Sequence, residues 1–200
     1  MRIGIFGGTF NPPHLGHMFL AQAALEEAEL SKLIFIPCGN PPHKGSADIA
    51  DANFRFDMVK LAIGNDERFD ISDIEIKLNA PSYTAKTLET LKSTYKNDTL
   101  CFIVGADSLC EMETWYHPEL IFEKAEIIAA LRGGYNNNNV YKAIKKYEEK
   151  YSAVITTVKM PEIDISASEI RNRIKNKKSV RYMLCDSVIN YINKNNIYGV

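Results

Sequence analysis

No stretch of the 200-residue chain is apolar for long enough to cross a membrane, and the apolar opening, Arg2 to Phe6, breaks at Gly7, too early for a secretory leader. No charge of either sign dominates. The 24 Lys and Arg against 25 Asp and Glu leave a formal net charge of -1, so the basic footprint of a nucleic-acid binder is missing and any anion must be bound locally. No C-x-x-C pair occurs. Cys38, Cys101, Cys110 and Cys185 stand far apart without histidines at metal-site spacing, and are expected as reduced thiols, mostly in or near the core. There is no internal repeat and no linker that divides the chain. These absences exclude a membrane protein and a disulfide-stapled secreted domain, and lead us to expect a soluble, cytoplasmic, single domain over residues 1–200.

Strand-like and helix-like stretches alternate through the chain. Arg2 to Phe6 reads as a short strand, and the residues after His17 recur apolar at helical spacing through Leu20, Ala24, Leu25 and Ala28. Leu33 to Pro37 and Thr99 to Asp107 read as buried parallel strands. Between them a helix is expected with Phe54, Met58, Leu61 and Ala62 on its inner face, then a strand over Arg68 to Leu78 with an irregularity near Asp73, then a helix starting near Thr84. A short helix "HPELIFEKA", a strand "EIIAAL", a helix "VYKAIKKYEEKY", a strand "AVITTV" and a helical segment from about 166 to 200 packed on the rest complete the series. "RGGYNNNN" reads as an exposed turn or a mobile flap. About six strands alternating with helices predict an α/β, Rossmann-like fold: a mostly parallel sheet with helices on both faces and its ligand at the carboxyl ends of the strands.

The hinge between the first strand and helix is "GGTFNPPHLGH", Gly7 to His17. Glycines after a strand let the backbone approach a ligand, and a helix tip offers N–H groups and a positive dipole end, which together suit a phosphate. His14 and His17, three apart, can both face such an anion around a helix beginning near Leu15. A zinc pair is the weaker reading, since only His43 and His117 remain to complete a set of ligands. In "ISASEIR", Ser166 and Glu169 form an S-x-x-E capping box, so a second helix tip is expected there, with Arg171 in its first turn. A cation so near a helix start points to a polyphosphate.

"GGTFNPPHLGH" with "ISASEIR" resembles the nucleotidyltransferase superfamily marked by an H-x-G-H signature, whose members transfer a nucleoside monophosphate from a triphosphate and release pyrophosphate. "PPHK" from Pro41, "SYTAKTL" from Ser82, "GADSL" from Gly105, "TWY" from Thr114 and Arg132 before the glycines resemble the bacterial nicotinate-nucleotide adenylyltransferases, across nearly the whole chain. Three positions depart from that family's commonest pattern: Asn11 replaces Asp, Ala167 replaces a hydroxyl residue, and Gly133 replaces Pro.

The resemblance implies adenylyl transfer from ATP to the 5′-phosphate of nicotinate mononucleotide by direct displacement, giving nicotinate adenine dinucleotide and pyrophosphate in NAD biosynthesis. It implies that His14 and His17 act on the phosphates, with Gly8, Thr9, Phe10, Gly105, Asp107, Ser166, Ser168 and Arg171 also binding ATP. Mg²⁺ would ride on the ATP phosphates with no protein ligand. Lys44, Tyr83, Thr84, Trp115, Tyr116 and Arg132 would bind the mononucleotide. On residue type alone Lys44 could equally be a solvated loop lysine, Asp107 a helix cap, and Trp115 a core residue. The partners expected are small molecules, with no nucleic acid and no membrane, and a homo-oligomer stays open. A pantetheine-phosphate adenylyltransferase would typically carry Thr in place of His14, and a silent nucleotide-binding module is disfavoured by the intact histidine pair.

Overall fold

The computed structural model describes residues 1–41, 49–78, 80–132, 137–161 and 163–199, with Arg132 described by its backbone alone. Six strands form one sheet in the order β3-β2-β1-β4-β5-β6: β1 (Arg2–Gly8), β2 (Lys32–Pro37), β3 (Phe69–Ile71), β4 (Thr99–Gly105), β5 (Glu126–Arg132) and β6 (Ile155–Met160). β1 with β4, β4 with β5 and β5 with β6 pair in parallel. The runs Ile3–Phe6, Leu33–Pro37 and Leu100–Val104 are buried at every position rather than at alternate ones, as strands covered on both faces require. The helices are α1 (Leu15–Glu27), α2 (Ala52–Ile63), α3 (Thr84–Thr94), α4 (Ala106–Glu111), α5 (Pro118–Lys124), α6 (Asn138–Tyr151), α7 (Ala167–Lys175) and α8 (Asp186–Lys194). This is the expected α/β, Rossmann-like architecture.

Three expectations need correction. The strand foreseen over Arg68–Leu78 is only Phe69–Ile71: Ser72 still donates to the Phe35 carbonyl, but Lys77 then turns back onto the Asp73 carbonyl and ends the extended run. The strand before α4 stops at Gly105, because Ala106 and Asp107 already belong to the helix. In α2 the inner face is Arg55, Met58 and Val59, while Phe54 and Leu61 lie at the surface. Periodicity assigned the charged residue outward; the bonds its guanidinium makes turn the helix the other way.

The chain divides into two compact units, Met1–Gly7 with Leu20–Ile34 and Tyr83–Glu162, and Gly8–Phe19 with Phe35–Ser82 and Ile163–Val200. Each gathers three stretches distant in sequence, so no linker marks the division. In the first unit α1 buries Leu20, Ala21, Ala24 and Leu25. In the second, α2, α7 and α8 share a core of Met58, Ile170, Ile174, Val188 and Ile192, closed by Val180, Leu184 and Ile197. At about 25 cal/mol per Å² of apolar surface, each such aliphatic side chain contributes about 1.5 to 3 kcal/mol when buried.

Candidate active site

In the second unit the chain leaves β1 at Gly8 and turns at Phe10, which adopts a left-handed φ of 48°. The Phe10 ring is buried, edge-on to the His17 ring at 5.1 Å and tilted against Phe35 at 5.8 Å. A Cβ on Gly8 would stand 2.9 Å from that ring, so glycine is what lets the ring fold back over the strand end. Phe10 therefore gives its side chain to the core.

α1 begins at Leu15, and its first turn organises both histidines. The His14 N–H donates to His17 Nδ1 at 3.1 Å. A ring nitrogen that accepts carries no proton, so the neutral His17 ring carries its proton on Nε2, which is a donor. The two imidazoles lie 3.7 Å apart, their planes at 34°. Burial pushes the His14 imidazole down to about 4, which keeps it neutral at pH 7, and its Nδ1 is buried with no partner. The helix tip itself is busier than expected. Leu15 donates to the Met183 carbonyl at 3.0 Å, and the N–H groups of His17 and Met18 turn to the His14 carbonyl, so these three amides are already engaged.

Beside the histidines lies a polar network. Arg55, 1% exposed, donates from Nη1 to the Thr9 carbonyl at 2.8 Å, from Nε to the Ala50 carbonyl at 2.9 Å and from Nη2 to the Gly39 carbonyl at 3.2 Å. Burial works against its charge, and the nearby acidic groups of Asp51 and Glu75 work for it. Buried Asn11 accepts at Oδ1 from the Ala50 N–H and from the Tyr198 hydroxyl, and its carbonyl accepts from Arg171 Nη1 at 2.9 Å. Thus Asn11, where the family has Asp, presents an acceptor oxygen that a carboxylate would also supply.

α7 begins as the capping box predicted, with the Ser166 hydroxyl accepting from the Glu169 N–H at 3.2 Å and lying 3.2 Å from the Ser168 hydroxyl. Both serines are exposed. Arg171 is the fifth residue of α7, not in its first turn, and its bond to the Asn11 carbonyl gives it a reason for its position that needs no anion.

In the first unit the aromatic residues pair differently from their order in sequence. Tyr116 stacks on Tyr83, centroids 4.3 Å apart and planes at 25°, with Lys86 Nζ over both rings at 5.5 and 5.7 Å. Trp115 instead sets its half-buried ring edge-to-face on Phe102 at 6.2 Å. Tyr83 is the residue at which α3 starts, and its carbonyl accepts from both the N–H and the hydroxyl of Thr87. Thr84 opens that helix half-buried. Gly105 precedes α4 with open space around its Cα, and Asp107 is exposed in the first turn of α4. The backbone of Arg132 ends β5, paired with Met160; its side chain and Lys44 lie outside the described residues.

The structure gathers Gly8, Thr9, Phe10, His14, His17 and Arg171 into one unit, and Tyr83, Thr84, Gly105, Asp107, Trp115 and Tyr116 into the other. Arg55 and Tyr198 had been overlooked. The available signal for Arg55 was a lone cation flanked by Phe54 and Phe56; for Tyr198 there was none. Among the described residues no group of three or more His, Cys, Asp or Glu side chains is arranged to hold a metal ion, and no helix is long and apolar enough to cross a membrane.

The profile of the cytidylyltransferase-like family matches residues 5–173. A protein of Caldicellulosiruptor bescii named "Probable nicotinate-nucleotide adenylyltransferase" is 44% identical over 198 residues, 99% of each chain. One of the same name from Carboxydothermus hydrogenoformans is 43% identical over 98% of each. The Plasmodium falciparum nicotinic acid mononucleotide adenylyltransferase complexed with NaAD superposes with a TM-score of 0.83 at 21% identity, covering 98% of this chain and 97% of that one, a likeness of fold.

Proposed function

The chain belongs to the cytidylyltransferase-like family and, within it, to the nicotinate-nucleotide adenylyltransferases, and we propose that it joins ATP to nicotinate mononucleotide by direct displacement, releasing pyrophosphate. The acceptor's phosphate monoester is largely ionised at pH 7, its second pKa being ~6, so the attack on the α-phosphorus needs no general base. What remains is to align two anions and to stabilise the charge that builds on the α-phosphate.

The observation that carries this reading is the bond from the His14 N–H to His17 Nδ1, which fixes Nε2–H of His17 as a donor rather than an acceptor. His17 would donate to the α-phosphate, with neutral His14 beside it. Gly8, Thr9 and Phe10 would offer backbone, and Ser166, Ser168 and Arg171 would meet the outer phosphates. Gly105 and Asp107 would take the ribose side. Mg²⁺ would be carried by the triphosphate. It would screen the phosphate charges.

For the acceptor, the start of α3 at Tyr83 and Thr84 would face the ring carboxylate, Trp115 and Tyr116 would stack on the electron-poor pyridine ring, and Lys44 and Arg132 would hold the phosphate side. Pyrophosphate release from ATP and Mg²⁺ with each acceptor tests the whole assignment. Nicotinate mononucleotide should exceed its amide counterpart by tenfold or more in kcat/KM, matching about 1.5 to 3 kcal/mol for a hydrogen bond to a charged group. Equal values for the two acceptors would overturn the carboxylate assignment, and no pyrophosphate with either would overturn the reaction. An α-phosphorus-chiral ATP analogue should react with inversion; retention would mean a covalent intermediate.

A further inference from the structure

Tyr198 has a backbone conformation that a tyrosine adopts only when held there, φ 68°, with Asn196 two residues earlier at φ 52°. The residue is packed against the core of α2, α7 and α8, and its hydroxyl donates to Asn11 Oδ1 at 2.7 Å across 187 positions of sequence. The same oxygen takes the Ala50 N–H at 3.0 Å. Arg55 fixes the neighbours on either side of this junction, through the carbonyls of Thr9 and Ala50. Asn11 is therefore clamped through its side chain, and its own carbonyl is the acceptor for Arg171 Nη1.

We propose that the Tyr198 hydroxyl is a positioning group for ATP, which orients the Arg171 guanidinium by way of Asn11. The relay has two bonds. Tyr198 and Ala50 fix the Asn11 side chain, the fixed residue presents its carbonyl in one direction, and Arg171 spends one N–H on that carbonyl, which sets the direction of the others. Arg171 and Tyr198 both line an open cavity of about 430 Å³ together with Asp51 and Lys175. Burial pushes the Tyr198 hydroxyl well above its usual pKa, and the charges of Arg171 and Arg55 only partly offset this, so it stays protonated and able to donate throughout the working pH range.

The inference rests on the assignment of Arg171 to the ATP phosphates, and its test reads ATP binding without any acceptor. Calorimetric titration of Mg-ATP into the wild type, Tyr198→Phe, Arg171→Ala and the double variant forms a double-mutant cycle, with thermal unfolding recorded for each. Tyr198→Phe keeps the ring and should weaken ATP roughly tenfold with little change in Tm. In the Arg171→Ala background the same change should weaken it less than about twofold, because the group it orients is gone. Asn11→Ala, which removes the acceptor of the same bond and also that of the Ala50 N–H, should weaken ATP at least as much as Tyr198→Phe and serves if that variant does not fold. Wild-type affinity in Tyr198→Phe, or losses that multiply in the double variant, would overturn the relay and leave Tyr198 a packing residue. A wild type that binds ATP but transfers nothing to nicotinate mononucleotide would sink the reaction proposed above while leaving the relay measured.

Discussion

Arg55 and Tyr116 show two ways of holding a side chain in place within one chain. Arg55 is 1% exposed and its donors reach three backbone carbonyls; Tyr116 is 42% exposed and rests on the ring of Tyr83. The unit containing Arg55 holds its loops by buried, directional bonds. The unit containing Tyr116 offers rings at the surface, held by stacking and by Lys86. Buried bonding and surface stacking are thus assigned to different residues, and they can be removed separately.

The comparison breaks most visibly at Arg55. Arg55→Ala strips three carbonyls of their donor in a buried place and should cost about 3 to 5 kcal/mol of stability, read as a fall in the midpoint of chemical unfolding. A variant as stable as the wild type would show that the network is ornament to the fold.

His17 sharpens the comparison from the chemical side. His17→Ala should lower kcat by about 10² to 10³ while Mg-ATP affinity falls much less, the pattern for a donor used chiefly in the transition state. His17→Gln, whose amide reaches toward the position of Nε2, should recover part of that loss. His17→Asn, whose amide falls near Nδ1, should recover less. Rescue by added imidazole with none by glutamine would point to a base instead.

The smallest effect is expected at the ring side. Trp115→Ala should raise KM for nicotinate mononucleotide on the order of tenfold, leave KM for ATP nearly unchanged and lower Tm only slightly, because its ring is half-buried. A loss of about 3 to 5 kcal/mol of stability with ordinary kinetics would instead make it a core residue.

Much of the frame was legible because it is written in local signals. Continuous apolar runs marked β1, β2 and β4, and the S-x-x-E box placed the start of α7 at its residue. The histidine pair was legible for the same reason, since Gly-Gly, two prolines and H-x-G-H all fall within one hinge. What escaped are contacts set by long-range packing. Hydrophobic periodicity sends a charged side chain outward, yet Arg55 turns inward because three carbonyls await it. Adjacency in sequence suggested that Trp115 and Tyr116 act as one aromatic pair, yet successive residues leave the backbone in different directions, and they find Phe102 and Tyr83.

The bond between Asn11 and Tyr198 also sets a schedule for synthesis. The two residues lie 187 positions apart, and at ~5 to 20 residues per second the ribosome makes the second roughly 10 to 40 s after the first. Throughout that interval Asn11 has no tyrosine to receive, and Arg171 does not yet exist for most of it. The nascent chain can pair β1 with β4 long before its phosphate side is assembled. An emerging polypeptide of this kind therefore lacks the junction of Asn11, Tyr198 and Arg171 until almost all of it has been translated.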